Sequence, residues 1–404
     1  VMPLVTRLFG ELCGRVGFVI ALAALVGFCL MESGAADKIT RVFVRLLGEK
    51  RASLSLLSSG FVLSGPVFFD TVFYLLVPLA RAMRVRTGRH YLLFVMSICA
   101  GGVITHSLVP PTPGPLAAAA TLGVDLGVMI LVGVLIGLPM AAAGWLFSLF
   151  MERTLAVPFR ETPGLSMREL EELANAPDHH LPGFLHALAP IGVPVLLISF
   201  RTLAQALAPG GALAGAAAFL GDANFALLVS AAIALHLLAR QKSLTLAELA
   251  KRAQTAFTNA GLIILITAAG GAFGGMLVEV GAGKALGELA RQYHLPLLVL
   301  GFLVAALMKV AQGSGTVAII TTSSIVAPLL AGTPLSFHVV YLAMAIGSGS
   351  LAGSWMNDSG FWVYKEMSGL TEAEALKTWT PLLAVLGATG LLATLAAATL
   401  LPLR

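Results

Sequence analysis

Ser64–Leu79 reads SGPVFFDTVFYLLVPL, and Ser314–Leu329 reads SGTVAIITTSSIVAPL. Set one under the other without a gap, at an offset of 250 residues, they share Ser, Gly, Val, Thr, Pro and Leu. Upstream, Glu32-Ser33-Gly34-Ala35 matches Glu279-Val280-Gly281-Ala282. Downstream, a break around Gly101–Pro115 lies level with one around Gly347–Phe361. A self-similarity held at nearly constant spacing over so much chain reads as two copies of one design.

The surroundings of those stretches fix the fold class. Of the 404 residues, 58% are hydrophobic and 11% charged, where an ordinary soluble domain has about 25% charged. This excludes a soluble globular enzyme and a disordered chain. Leu, Ala, Val and Ile run in long blocks at about 14–31, 53–80, 91–109, 116–150, 183–208, 223–239, 255–278, 295–331, 338–364 and 378–402. Blocks of that length cross hydrocarbon as helices, whereas a barrel strand is shorter and alternates. The expectation is an all-α polytopic membrane protein. Cys13, Cys29 and Cys99 form no CxxC pair and read as reduced packing residues. The start at Val1-Met2 leaves room for a missing N-terminal segment.

The net charge of +5 reads as topology rather than as affinity for nucleic acid. Segment 32–52 carries Lys38, Arg41, Arg45, Lys50 and Arg51. Segment 81–90 carries Arg81, Arg84, Arg86 and Arg89, and 240–252 carries Arg240, Lys242, Lys251 and Arg252. Gaps 110–125, 208–222 and 332–338 have no Lys or Arg. The positive-inside rule places the first three in the cytoplasm. Block 53–80 then has cytoplasmic charge on both flanks, so it enters and returns, reversing at Leu63-Ser64-Gly65-Pro66. Such a re-entrant hairpin is tolerated only where its tip is buried in protein or lines a cavity. Counting onward, the hairpin at about 295–331 enters from the other side, so the two copies are inverted, a common plan of secondary transporters. The expected divisions are residues 1–150 (first repeat), 151–182 (polar cytoplasmic connector, with a short surface helix at Met167–Leu173), 183–252 (linking helices) and 253–404 (second repeat).

Four interruptions punctuate the apolar blocks: Ser64-Gly65-Pro66, Pro110–Pro115, Gln312–Thr316 and Met356–Gly360. Proline deletes an amide donor, and glycine admits conformations other residues avoid. Each break frees backbone groups that need a partner at membrane depth, and helix N-termini among them suit an anion. Four breaks in two pairs would enclose one midplane site.

At this point the residues resemble the gluconate permease family of sugar-acid:proton symporters. The likeness rests on His106-Ser107-Leu108-Val109 leading into Pro110–Pro115, on Gln312-Gly313-Ser314-Gly315-Thr316-Val317-Ala318, and on Gly347–Ser350 running on to Asn357-Asp358-Ser359-Gly360-Phe361-Trp362. Gly369-Leu370-Thr371-Glu372 and Leu376–Trp379 also fit. Members commonly carry a second His in the proline run, where this chain has Thr112, and a further pair of helices ahead of the position of Val1. The resemblance implies inner (plasma) membrane location and uptake of gluconate or a related sugar acid driven by protons. It also implies an elevator-type transport domain sliding against a homodimeric scaffold.

Ionisable residues in apolar segments are functional candidates by default. Asp70 lies in the first hairpin, and its repeat partner is Ile320. Asp70 reads as a proton carrier or as a capping or paired carboxylate, and Asp358 as a proton acceptor or an N-cap. His106 is a lesser proton candidate. Lys309 reads as the cation for a substrate carboxylate, as a partner of Asp70 or Asp358, or as a snorkelling side chain. Substrate hydroxyls would bond Ser64, Thr112, Ser314, Thr316, Asn357 and Ser359, and the carboxylate would meet the Gly65 and Gly315 amides. No catalytic, metal, cofactor or ATP-binding motif is present in the sequence, so uphill movement must draw on an ion gradient. A sodium-coupled carboxylate transporter is the alternative; a membrane enzyme using an Asp70/Asp358 dyad and a channel are remoter ones.

Overall fold

The computed structural model describes residues 2–48, 51–160, 180–207, 212–330 and 335–403, and every regular element in them is a helix. The first seven are α1 (Met2–Glu32), α2 (Ala35–Leu47), α3 (Ala52–Leu63), α4 (Phe69–Thr87), α5 (Tyr91–Leu108), α6 (Pro113–Leu122) and α7 (Leu126–Thr154). Three follow: α8 (Phe184–Leu207), α9 (Ala212–Leu220) and α10 (Ala223–Lys242). The last seven are α11 (Leu246–Glu279), α12 (Ala282–Gln292), α13 (Leu297–Gln312), α14 (Gly315–Leu330), α15 (Val340–Gly349), α16 (Ser359–Ser368) and α17 (Glu372–Leu400). The chain is a seven-span membrane fold: among the described residues, seven segments are long and apolar enough to cross, the broken Tyr91–Leu122 being one of them.

Local chemistry sets the helix boundaries. Asp125 caps α7, its Oδ1 accepting from the Gly127 and Val128 amides at 2.9 and 3.1 Å. Asp222 caps α10 in the same way. Thr245 with Glu248, and Thr371 with Glu374, form capping boxes at the starts of α11 and α17, satisfying amides that a helix start otherwise leaves open. Gly34 and Gly281, at matched places ahead of α2 and α12, both have positive φ (74° and 86°). One difference from the sequence reading appears here. The block expected to run back across the membrane from residue 116 starts its return only at Leu126. Residues 113–122 belong with α5 to one broken span, Tyr91–Leu122, because a proline run can bend a helix without ending its travel.

Helix lengths explain the two interrupted segments. At 1.5 Å per residue α3, with 12 residues, is about 18 Å long, well short of a ~30 Å hydrocarbon core. It ends at Ser64, and α4 starts five residues later. α13 and α14, each of 16 residues, are separated only by Gly313 and Ser314. Pro78 and Pro328 lie inside α4 and α14 at equivalent places. α3 packs on α5, and α13 on α15. The α3–α5 contact is close enough that a Cβ on Gly101 would collide with the Leu57 carbonyl. Such small-residue approaches are how membrane helices gain dispersion contact without a hydrophobic driving force.

Below the first hairpin, Arg81 is 1% exposed. Its guanidinium donates to Tyr91 Oη at 3.1 Å and to the Arg160 carbonyl at 2.5 Å, and it stacks 4.7 Å from the Phe159 ring centroid. Arg160 in turn forms a two-pronged pair with Glu374 at 2.7 and 2.9 Å. The start of the connector is thereby fastened to α4, α5 and α17. Most of the connector, including the surface helix expected at 167–173, lies outside the described residues.

Candidate functional site

Break by break, the structure gathers most of the expected residues. In the first hairpin Ser64 is fully buried, and its Oγ has no hydrogen-bond partner. Gly65 behaves differently from expectation: its amide donates to the Val62 carbonyl at 3.5 Å and closes the end of α3. The open amides of this hairpin therefore belong to the first turn of α4, around Phe69–Thr71, as at any helix start. Asp70 sits in that turn, half-buried, and makes no hydrogen bond or ion pair among the described residues.

The proline run joins the two hairpin tips. Gly65, Pro66 and Phe68 share a cavity of only about 10 Å³ with Pro111, Thr112 and Pro113. On the other side, a Cβ on Gly114 would stand 2.9 Å from Ile319 Cδ1 and 3.5 Å from Thr316 Cα, in the first turn and a half of α14. Thr112 is buried and donates its hydroxyl to the Val109 carbonyl at 2.6 Å, leaving its lone pairs for a donor. His106, at the end of α5, stands edge-on to Phe68 at 6.2 Å, with its Nδ1 buried and unpartnered.

The second tip rests against the fourth break. Gly313 takes a left-handed turn (φ 79°), and a Cβ there would collide with the Asn357 carbonyl. Asn357 Nδ2 donates to the Val310 and Lys309 carbonyls at 2.8 and 3.3 Å, covering acceptors at the end of α13, while its Oδ1 is buried without a partner. Ser314 Oγ accepts from the Val317 amide at 3.3 Å and so caps α14. Gly315 lies beside Ser350 and Lys309: a Cβ on it would be 3.9 Å from Lys309 Nζ. Thr316 is half-buried and Ser359 exposed.

At the centre Lys309, 4% exposed at its side chain, pairs with Asp358 at 2.6 Å and donates also to the Gly313 carbonyl at 2.6 Å. Of the three roles open to Lys309 in the sequence, the structure has it as Asp358's partner. Asp358 Oδ2 further accepts from Ser354 Oγ at 2.5 Å, and Oδ1 caps α16 through the Gly360 amide at 3.0 Å. Asp358 is thus both an N-cap and a paired carboxylate. Burial of such a pair costs desolvation that only good geometry and extra hydrogen bonds offset, and both are present here. Asp70 lies within electrostatic reach of Asp358 and Lys309. The cluster therefore brings together two acidic side chains and one basic one.

Sequence reasoning missed Ser354 and Trp379 as parts of this network. Trp379 Nε1 donates to Ser354 Oγ at 2.8 Å, and the indole packs on Phe69 with centroids 5.8 Å apart. It links the turn that carries Asp70 to the break that carries Asp358. Nothing in the spacing of Trp379 distinguishes this role from ordinary packing. Among the described residues, no group of three or more His, Cys, Asp or Glu could hold a metal ion.

Comparison with known proteins places this arrangement in context. Residues 1–401 match the family described as "GntP family permease". The "Gluconate permease" of Pseudomonas aeruginosa is 35% identical over 387 residues, covering 95% of this chain and 84% of that protein. The "Inner membrane permease YgbN" of Escherichia coli is 33% identical, covering 95% and 86%. The "Low-affinity gluconate transporter" of the same organism is 32% identical, covering 94% and 84%. The solved structure of the Alcanivorax borkumensis YdaH transporter aligns with a TM-score of 0.63 over 98% of this chain and 89% of that one, at 13% identity. At that identity the likeness is one of fold.

Proposed function

The chain belongs to the GntP family of permeases, and from that premise we propose that it imports gluconate or a related small sugar acid by proton symport. It is a multi-pass protein of the inner (plasma) membrane and a transporter, not an enzyme. The single observation that carries the finer reading is the Asp70–Asp358–Lys309 cluster. Lys309 and Asp358 neutralise each other in a hydrogen-bonded pair, and Asp70 is left as the carboxylate without a partner.

The coupling follows from charge. With Asp70 ionised, the cluster repels an incoming carboxylate. Two like charges about 8 Å apart at an effective dielectric of about 20 repel by about 2 kcal/mol, about 30-fold in affinity. A proton on Asp70 removes that repulsion, so proton and sugar acid load together. The carboxylate then lies against the α14 start at Gly315 and Thr316, where amides and the helix dipole favour an anion. The buried, unpartnered Ser64 Oγ and Asn357 Oδ1, with Thr112, Ser314 and Ser359, bond its hydroxyls. His106 is the second proton candidate.

The architecture proposed around this site is a pair of inverted repeats, residues 1–150 and 253–404. Each has a re-entrant hairpin, at 53–80 and about 295–331. The connector at 151–182 and the linking helices at 183–252 join them. The order long helix, short amphipathic helix, two shorter helices, broken helix, long helix occurs in α1–α7 and recurs in α11–α17, which supports the repeat. An elevator-type transport domain moving against a homodimeric scaffold completes the reading. The test is a panel of sugar acids offered to proteoliposomes under an imposed pH gradient or an imposed Na⁺ gradient. Accumulation of an aldonate that follows the pH gradient supports proton symport; accumulation that follows Na⁺ and ignores a protonophore supports a sodium-coupled carboxylate carrier instead.

A further inference from the structure

Two cavities meet beside the first hairpin tip, outside the charged cluster. The larger, about 260 Å³, lies between the tip (Val62, Gly65, Pro66) and α8 and α10 (Pro194, Ile198, Leu227). Its wall is apolar apart from the hydroxyls of Thr105 and Ser230, and Ser230 Oγ already donates to the Pro190 carbonyl at 2.5 Å. The second, about 220 Å³, is polar and holds Arg201 and Asp125. Leu126, Ile198 and Ala223 stand on both walls, so the two cavities adjoin, the one polar with Arg201 and Asp125 and the other apolar.

Three features define what fits it. Arg201 has no hydrogen-bond or ion-pair partner among the described residues, and its Nε is buried and unsatisfied. Asp125, across the same chamber, uses its Oδ1 to accept from two α7 amides and from Thr202 Oγ1 at 2.7 Å, and makes no ion pair with Arg201 among the described residues. The polar chamber sits level with the starts of α7 and α10, the depth at which headgroups lie against a spanning bundle. Val134, on the wall of the apolar chamber, is 37% exposed and stands within a stripe of exposed Leu131, Leu135 and Leu138 on one face of the spanning helix α7. A stripe at helical spacing on a span faces the acyl chains of the bilayer.

We propose that the two cavities together form one slot for an anionic phospholipid, its phosphate on Arg201 and one acyl chain in the apolar chamber against the Gly65–Pro66 tip. A guanidinium matches phosphate in geometry and charge. A large apolar chamber excludes water and loses packing when nothing fills it. Val134, shared by the chamber wall and the exposed stripe, is where a bilayer lipid would enter. The site is distinct from the charged cluster, and the proposal stands whatever solute is carried. It also makes the tip of the first hairpin responsive to the lipid around it.

The test uses the full chain in liposomes containing photoreactive diazirine-tailed phosphatidylglycerol or the same tail on phosphatidylcholine, with adducts mapped by peptide mass spectrometry. Phosphatidylglycerol adducts concentrate in 126–134, 190–198 and 223–230. Arg201→Gln lowers them about ten-fold, as expected for losing a charge-assisted contact, and leaves phosphatidylcholine adducts unchanged. Leu227→Trp, which fills the chamber, removes them; Leu227→Phe serves if the larger side chain prevents folding. Adducts spread evenly over lipid-facing positions such as Leu262 and Leu392, equal labelling by the two lipids, or labelling indifferent to Arg201→Gln would overturn the proposal. So would protein–protein cross-links between two copies at 131–138 in place of lipid adducts.

Discussion

Replacing Lys309 separates two roles that the sequence alone left open. If Lys309 exists to neutralise Asp358, Lys309→Met strands a carboxylate whose side chain is 13% exposed. Asp358 keeps the Ser354 hydroxyl and the Gly360 amide, but loses its countercharge, and the Gly313 carbonyl loses its donor. Removing one partner of a buried pair typically costs about 3–5 kcal/mol. Asp358→Asn added to Lys309→Met removes the stranded charge and keeps a group that can accept from the Gly360 amide. The double variant is therefore expected to recover about 2 kcal/mol or more relative to Lys309→Met alone. Reversible unfolding in mixed micelles, with all four corners of the cycle, measures this. Additive losses, or a Lys309→Met variant as stable as the parent but weaker for sugar acid, would refute the pairing and return Lys309 to the substrate.

Other outcomes follow from the same structure. In a background lacking Cys13, Cys29 and Cys99, cysteines at Arg51 and Arg89 both react with an impermeant maleimide from the cytoplasmic side, and cysteines at His294 and Ser336 both react from the outside; a split within either pair would show that hairpin to be a crossing. Gly313→Ala forces a side chain into a left-handed turn and onto the Asn357 carbonyl, so it costs at least ~1–2 kcal/mol of strain and abolishes uptake at normal membrane abundance or prevents assembly; unchanged uptake would contradict the described tip. Arg160→Ala breaks a two-pronged pair, but Arg160 is 36% exposed and screened by water, so thermal stability falls by no more than about 1 kcal/mol and uptake persists.

Much of the fold is legible in the sequence because backbone chemistry writes it there. Ser64-Gly65-Pro66 and Gly313-Ser314-Gly315 mark the breaks that separate α3 from α4 and α13 from α14, and the long apolar blocks announce the spans. Asp70, Asp358 and Lys309 stand out because charge at that depth is expensive. What stayed hidden depends on packing. The single block at 116–150 gave no sign that α6 and α7 divide it, since Gly123 and Asp125 differ little from other short polar breaks. The Gly65 amide looked open until the end of α3 was seen to use it. Arg81 counted as one more cytoplasmic charge, and its burial rests on Tyr91 and Phe159, which arrive from other elements. Nothing in the sequence joins Ser354 to Trp379, because a hydrogen bond between residues 25 positions apart is a property of the folded chain.

The central claim is that Asp70 carries the coupling proton, and Asp70→Asn tests it most directly. The amide imitates the protonated acid, so solute counterflow across equilibrated proteoliposomes is expected to persist, while accumulation under an imposed inward proton gradient disappears. An Asp70→Asn protein that concentrates sugar acid under that gradient as well as the parent does would contradict the account.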